Sequence, residues 1–252
     1  MSEAAYPSSA SVSEPQGLNQ IERVVDAFIA PSKTFKDILR SASWWLPFIL
    51  MVLSATSLAW VVDKQVGYDH VAENVIHQSP KAEDRMSSLS PEQRASSMHM
   101  VAMQTRIGAY AAPVFLLIFF AIYALILWAS FNFGLGAQTT FWQVFAVSFY
   151  AALPYIFINL IAIFTIYFGG SAEAYDMKNP AGTNLGYYLP DVSPWLKALL
   201  GQLDVIKLWT LALTVLGMAI VAKKSITQSA VIVVGWWLVL VVIAVGFAAA
   251  FS

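Results

Sequence analysis

Asp204-Val-Ile-Lys-Leu-Trp-Thr-Leu-Ala-Leu-Thr-Val-Leu-Gly217-Met-Ala-Ile-Val-Ala222 is followed by Lys223-Lys224-Ser225, and the chain is apolar again from Ala230 to Phe251. An α-helix rises ~1.5 Å per residue, so about 20 apolar residues cross ~30 Å of hydrocarbon. Each half of residues 204–251 is long enough to cross a bilayer. The lysine pair between them is too polar to cross, which makes the two halves an antiparallel helical hairpin in a membrane.

Composition agrees. Of the 252 residues, 58% are hydrophobic and 12% charged, where a soluble domain carries about a quarter charged residues. The formal net charge of −1 provides no basic field for nucleic acid. With no cysteine, disulfides, thiolate metal sites and a cysteine nucleophile are excluded. The polar start of the chain lacks a charged-then-apolar leader, so the first apolar run is expected to act as a signal-anchor span.

Working outward, the apolar runs place five spans at about 44–62, 107–131, 141–168, 205–222 and 230–251. Residues 44–252 are therefore expected to form one all-α, five-span membrane domain. Residues 1–17, rich in Ser, Ala and Pro, read as a disordered tail. In 18–43, Ile21, Val24, Val25 and Phe28 recur at helical spacing opposite Glu22, Arg23 and Asp26, and Phe35, Ile38 and Leu39 make a second stripe after Pro31, with Ser32 as its cap. Two such helices before a span are expected in the membrane interface; packing on the protein's own loops is the alternative.

The connectors carry their own signals. Residues 63–106 should be helical and extramembrane, with Ser90-Pro91-Glu92-Gln93 supplying a cap, a first-turn proline and a reciprocal Gln. Asn132-Phe-Gly134-Leu-Gly136 should turn tightly. Pro154 should kink the third span. In the polar connector 169–204, Asn179-Pro180 and Gly182 mark a turn, and Ser193-Pro194-Trp195 should cap a short surface helix feeding the fourth span.

The order and spacing of these features carry a family likeness. Phe28-Ile-Ala-Pro31-Ser-Lys-Thr-Phe35 with Trp45-Leu-Pro47 resembles the approach to the first span in the bacterial branch of the YIP (Ypt-interacting protein) domain family. Tyr150-Ala-Ala-Leu-Pro154 is similar to that family's Tyr-Ala-x-Leu-Pro signature. Asp204-x-x-x-Leu208-Trp209, Leu216-Gly217, Lys223 and Ala230 resemble its last two spans. The likeness runs from about Ile21 to Phe251. It implies a five-span bundle with a cytoplasmic N-terminus. Eukaryotic members are linked to Rab-type GTPases, but this chain has no Asp-x-Tyr-Gly-Pro run and a short N-terminal region, so a GTPase partner is not carried over.

A raw count of basic residues leans against that orientation, but near span ends Lys33, Lys36 and Arg40 outweigh Lys64 and Lys81 around the first span, and Lys223 and Lys224 precede the last, which leans to it. The expected setting is a bacterial inner membrane, with the C-terminus extracytoplasmic.

Chemistry is sparse. The span interiors hold no Asp, Glu, His or Arg, which leaves an intramembrane enzyme without titratable groups at depth. Asp204 and Lys207, at the start of the fourth span, share a helical face and are expected to pair or reach the headgroups; a proton relay is the sharper and less favoured reading. Asn159, five residues after Pro154, reads as a hydrogen-bonding residue between helices, or as the lining of a small-molecule path. His99 and Met103 share a face at i,i+4 and form a thin candidate for a soft metal ion, while lipid or helix packing explains methionines there as well. His70 and His77, one heptad apart, read as solvated surface before ligands. Tryptophans near span ends read as interfacial anchors, and Trp236-Trp237 marks a helix–helix or protein–protein contact. Trp209 and Gly217 are packing candidates on the fourth span.

The sequence therefore describes a non-enzymatic membrane protein without cofactor. It is expected to work through the lipid bilayer and a membrane-protein partner or second copy, as a membrane organiser or accessory subunit. The alternative is a small-molecule or ion permease built on the kinked third span.

Overall fold

The structure is a computed structural model and describes residues 17–169, 175–177, 179–189 and 192–251. The tail expected over 1–17 lies almost wholly outside the described residues. Helices dominate, and the described residues contain no strand, only one isolated antiparallel bridge between Asn184 and Asp204.

Four helical stretches are long and apolar enough to cross a membrane: Trp45–Val66, Ala112–Gly134, Phe141–Phe168 and Ile226–Ala250. A fifth apolar helix, Val205–Val221, has 17 residues. At ~1.5 Å per residue it spans about 25 Å. These are the helices expected from the apolar runs, with different ends.

The N-terminal pair comprises α1 (Gln20–Ile29) and α2 (Pro31–Ile38). A reciprocal cap between Asn19 and Glu22 starts α1. Ser32 does not cap α2: the helix begins at Pro31, whose missing N–H costs nothing in the first turn, and Ala30 stands at the cap position. Both helices pack on the bundle. Phe35 and Ile38 are fully buried, while Ile21, Val25 and Ile29 form an outward apolar stripe on α1. Arg23, expected on the polar face, is instead completely buried. Helical spacing groups it with Ala27, four residues on, against the protein.

Helix α3 (Trp45–Val61) continues through a π-turn over Val62–Val66 into α4 (Tyr68–His77), α5 (Pro80–Ser87) and α6 (Pro91–Tyr110). The Ser90–Gln93 capping box forms as the spacing predicts. Tyr68, Val71, Ala72 and Ala102 build a second small core with Val61, Val62 and Ile166, which fixes this extramembrane unit on the ends of two spans. Arg106 donates to Asp63 at 2.9 Å and closes the unit at its neck.

The second span starts at Ala112, not Ile107. Pro113 has no N–H for the carbonyl four residues earlier and crowds it, so α6 stops at Tyr110 and α7 (Ala112–Ala129) restarts beyond Ala111. A π-turn carries it to Gly134, and Gly136 takes the left-handed φ of 60° that the reversal requires. Asn132 and Thr139 clamp this turn: Thr139 N donates to Asn132 Oδ1 at 3.0 Å, and Asn132 Nδ2 returns to Thr139 O at 2.9 Å.

Helix α8 (Phe141–Ala151) is the centre of the molecule. Val144 through Leu153 are all buried, ringed by α2, α3, α7 and the later helix α11 (Val205–Val221). Its aromatic face joins Trp44, Phe48, Phe120, Phe145 and Phe149 with ring centroids 4.6–5.7 Å apart, a separation at which aromatic pairs attract beyond simple burial. Pro154 breaks the third span as expected. Tyr150 O, which residue 154 would normally reach, takes Leu153 N at 3.4 Å instead, and α9 (Tyr155–Phe168) begins after the proline.

The connector to the fourth apolar helix includes α10 (Pro194–Leu200). Ser193 precedes its first-turn proline, with no hydrogen bond from its own side chain to the helix. Helix α11 ends in a Schellman turn, with Lys223 at φ 52°, Lys223 N on Ile220 O and Lys224 N on Ala219 O. A box between Ser225 and Gln228 then starts α12 (Ile226–Phe251) earlier than Ala230. The hairpin over 204–251 exists, but it wraps a centre made by α8.

Candidate functional site

Several polar residues of the apolar helices hydrogen-bond within or between helices. Asn159 Nδ2 donates to Ser54 Oγ on α3 at 3.0 Å, and Ser54 Oγ donates to Met51 O at 2.9 Å. Asn159 thus ties α9 to the first span. Ser148 and Thr214 bond back to carbonyls of their own helices, Val144 O at 3.0 Å and Thr210 O at 2.8 Å. Gln143 belongs to the reciprocal cap with Thr140 that starts α8.

Trp209 and Gly217 make close contacts along α11. Trp209 stacks on Phe157 (centroids 6.1 Å, planes 11° apart) and meets Phe28 edge-on at 5.9 Å. Gly217 lets the helix approach α8 and α2: a Cβ there would stand 2.6 Å from Val147 Cγ1 and 2.9 Å from Phe35 Cε1. Trp236 donates Nε1 to Ser130 Oγ at 2.9 Å, joining α12 to the end of the second span, and Trp237 is half-buried beside it.

Asp204 and Lys207 do not pair, which corrects the sequence expectation. Asp204 caps α11, accepting from Ile206 N at 2.8 Å and Lys207 N at 3.2 Å, and it takes Thr183 Oγ1 at 2.6 Å. With 2% of its surface exposed, it is held in place by these bonds. Extended backbone at the cap position turns its carboxylate back onto the first-turn amides, away from Lys207 Nζ. Lys207 Nζ instead donates to Gly201 O at 2.8 Å and Gln202 Oε1 at 3.4 Å.

Both residues line a cavity of about 500 Å³ between the connector, the α4–α5 junction at Gln78 and Ser79, α9, α11 and the end of α12. Asn179 and Asn184 exchange amide bonds at 2.6 and 3.2 Å on its wall, and Lys197 meets Asp176 across 3.4 Å.

His99 and Met103 lie on the outward face of α6, both exposed. The described residues bring no cluster of three His, Cys, Asp or Glu together that could hold a metal. His70 and His77 face glutamates instead, His77 Nδ1 meeting Glu83 Oε1 at 2.9 Å and His70 Nδ1 meeting Glu73 Oε2 at 3.5 Å.

Sequence reasoning missed one cluster altogether. Arg23 Nε donates to Asp37 Oδ2 at 2.5 Å and Arg23 Nη2 to Asp37 O at 3.1 Å, while Arg40 Nε reaches Asp37 Oδ1 at 2.8 Å. Thr34 Oγ1 donates to Arg23 O at 2.8 Å. Burial opposes ionisation of Asp37, but hydrogen bonds from Arg40 and Arg23 outweigh it and hold the carboxyl below its ordinary value. The signal available was Arg23-x-x-x-Ala27 beside Thr34 and Asp37, legible only once the hairpin is drawn.

A family model described as the Yip1 domain matches residues 25–247. That is most of the chain, and the chain belongs to the Yip1 domain family. No curated protein and no solved structure matches it.

Proposed function

We propose that this Yip1-family membrane protein has five spans and works without catalysis, through lateral contacts, as an accessory subunit or organiser in a bacterial inner membrane. Helix α11, at 17 residues, is the short fifth span. A stretch of about 25 Å fits a bilayer that thins slightly around it, at a modest cost per ångström. The N-terminus then lies on the cytoplasmic side with Lys33, Lys36, Arg40, Lys223 and Lys224. The stripe Ile21, Val25 and Ile29 meets lipid beside the bundle.

One observation carries this reading. Of the most apolar stretch of Ile226–Ala250, 11% is buried in the molecule, against 44% for Phe141–Phe168. A span that contributes so little to its own core presents much of its surface outward, although Ser229, Val233 and Val241 are buried. Along it, Val231, Leu238 and Val242 recur on one face, and all are exposed. The occupant proposed for that face is a second membrane protein or a second copy of the chain.

A photo-crosslinking residue at Val242 tests the proposal in native membranes. An adduct with a protein is expected, and adducts with lipid alone would contradict it. The permease reading draws no support from Asn159, whose amide is engaged by Ser54.

A further inference from the structure

We infer that the cavity beside Asp204 and Lys207 binds the phosphoethanolamine headgroup of a membrane lipid. The cavity, about 500 Å³, lies within the range of small-ligand sites, roughly 300–1,000 Å³. Among the described residues its ionisable lining is two cations, Lys197 and Lys207, and two anions, Asp176 and Asp204. A bare anion or a bare cation would meet a like charge there. A zwitterion meets an opposite charge at both ends.

The donors suit a phosphate. Lys207 Nζ has three N–H groups and gives one well-placed bond, to Gly201 O at 2.8 Å, and a long one to Gln202 Oε1 at 3.4 Å. Lys197 is partly exposed, and its 3.4 Å contact with Asp176 is long for an ion pair. Both ammoniums can turn to a phosphate without breaking a short bond between charged groups. The Asp176 carboxylate and the Gln202 carbonyl accept from a primary ammonium, whereas a quaternary choline has no N–H to give; the buried Asp204 carboxylate contributes its charge to the wall.

The walls indicate a lipid source. Ile158 of α9 and Ala248 of α12 complete the cavity, and on α12 the neighbouring Ile243 and Phe247 are exposed. A headgroup in the cavity leaves its acyl chains against that apolar surface. Trp195 and Tyr188, both exposed, lie on the connector that supplies most of the cavity wall, and such amphipathic rings favour the headgroup region. The inference rests on the five-span reading, which sets the start of α11 at the membrane surface.

The test uses the full chain in nanodiscs of equal phosphatidylethanolamine and phosphatidylcholine, with retained lipid counted by native mass spectrometry. Retention of phosphatidylethanolamine over phosphatidylcholine is expected. It should fall about tenfold in Lys207→Met, the equivalent of one charge-assisted hydrogen bond. Lys197→Met, on the partly exposed side, should lower retention with an unchanged melting curve, which separates loss of binding from loss of fold. Equal retention of both lipids, or no change in either variant, would overturn the inference. So would binding of soluble phosphoethanolamine without any retained lipid. Failure of the five-span reading shows separately, by cysteines at Thr227 and Ser88 labelling from one side of the membrane.

Discussion

Arg23 and Asp37 meet at 2.5 Å with Arg23 wholly buried, so each depends on the other. Removing one partner of a buried ion pair leaves an uncompensated charge and costs about 3–5 kcal/mol. Asp37→Asn should therefore release the α1–α2 hairpin, seen as faster amide exchange over both helices. The double variant Arg23→Leu, Asp37→Leu should recover most of the loss, because an apolar pair of similar volume replaces a buried ion pair at little cost. The pH dependence follows from the direction of the shift. The Asp37 carboxyl titrates below its ordinary value of 3.8 when folded. Its stabilisation is then complete above 3.8 and is lost as pH falls through the lower folded value. The protection factors of the hairpin amides, with the intrinsic pH dependence of exchange divided out, should be level from neutral pH down to about 4 and fall in stronger acid, and Asp37→Asn should abolish that step.

At the scale of elements, the helices were legible because apolar runs and caps speak locally. The Ser90-Pro91-Gln93 box and the break at Pro154 both stand where the residues put them. What was not legible is long-range. Arg23 reads as a solvent-facing charge until its partner, 14 residues on, is folded against it. The Asp204–Lys207 pairing failed because cap geometry and the Gly201 carbonyl compete for those groups, and residues 179–184 approach only through the connector. The cavity, too, is built from four separated stretches. Helix α11 is the element whose role most needs measurement, since 17 residues fall short of the ~20 usual for a span. The absence of cysteine makes single-cysteine labelling clean. Lys33→Cys and Thr227→Cys should label from one side of the membrane, and Ser88→Cys from the other. Labelling of Thr227→Cys together with Ser88→Cys would show that α11 does not cross.

At the scale of the molecule, burial is uneven. Helix α8 sits at the centre with its whole second half enclosed, while α12 lies at the margin, joined by Trp236 to Ser130 and by Lys81 Nζ to Ala250 O at 2.6 Å. The extramembrane unit α4–α6 has its own small core and is held to α3 and α9. Such a body is densely packed at its centre and exposes apolar side chains at its margin, and the role proposed for it is to join other membrane components. Purification of the intact chain from its own membrane into native nanodiscs, with stoichiometry read by mass spectrometry, tests that claim most directly. The account predicts a fixed ratio with a second membrane protein or with further copies of the chain, lost when Val242 and Leu238 are changed to bulkier tryptophans. Recovery of a lone monomer, unaltered by those changes, would contradict it.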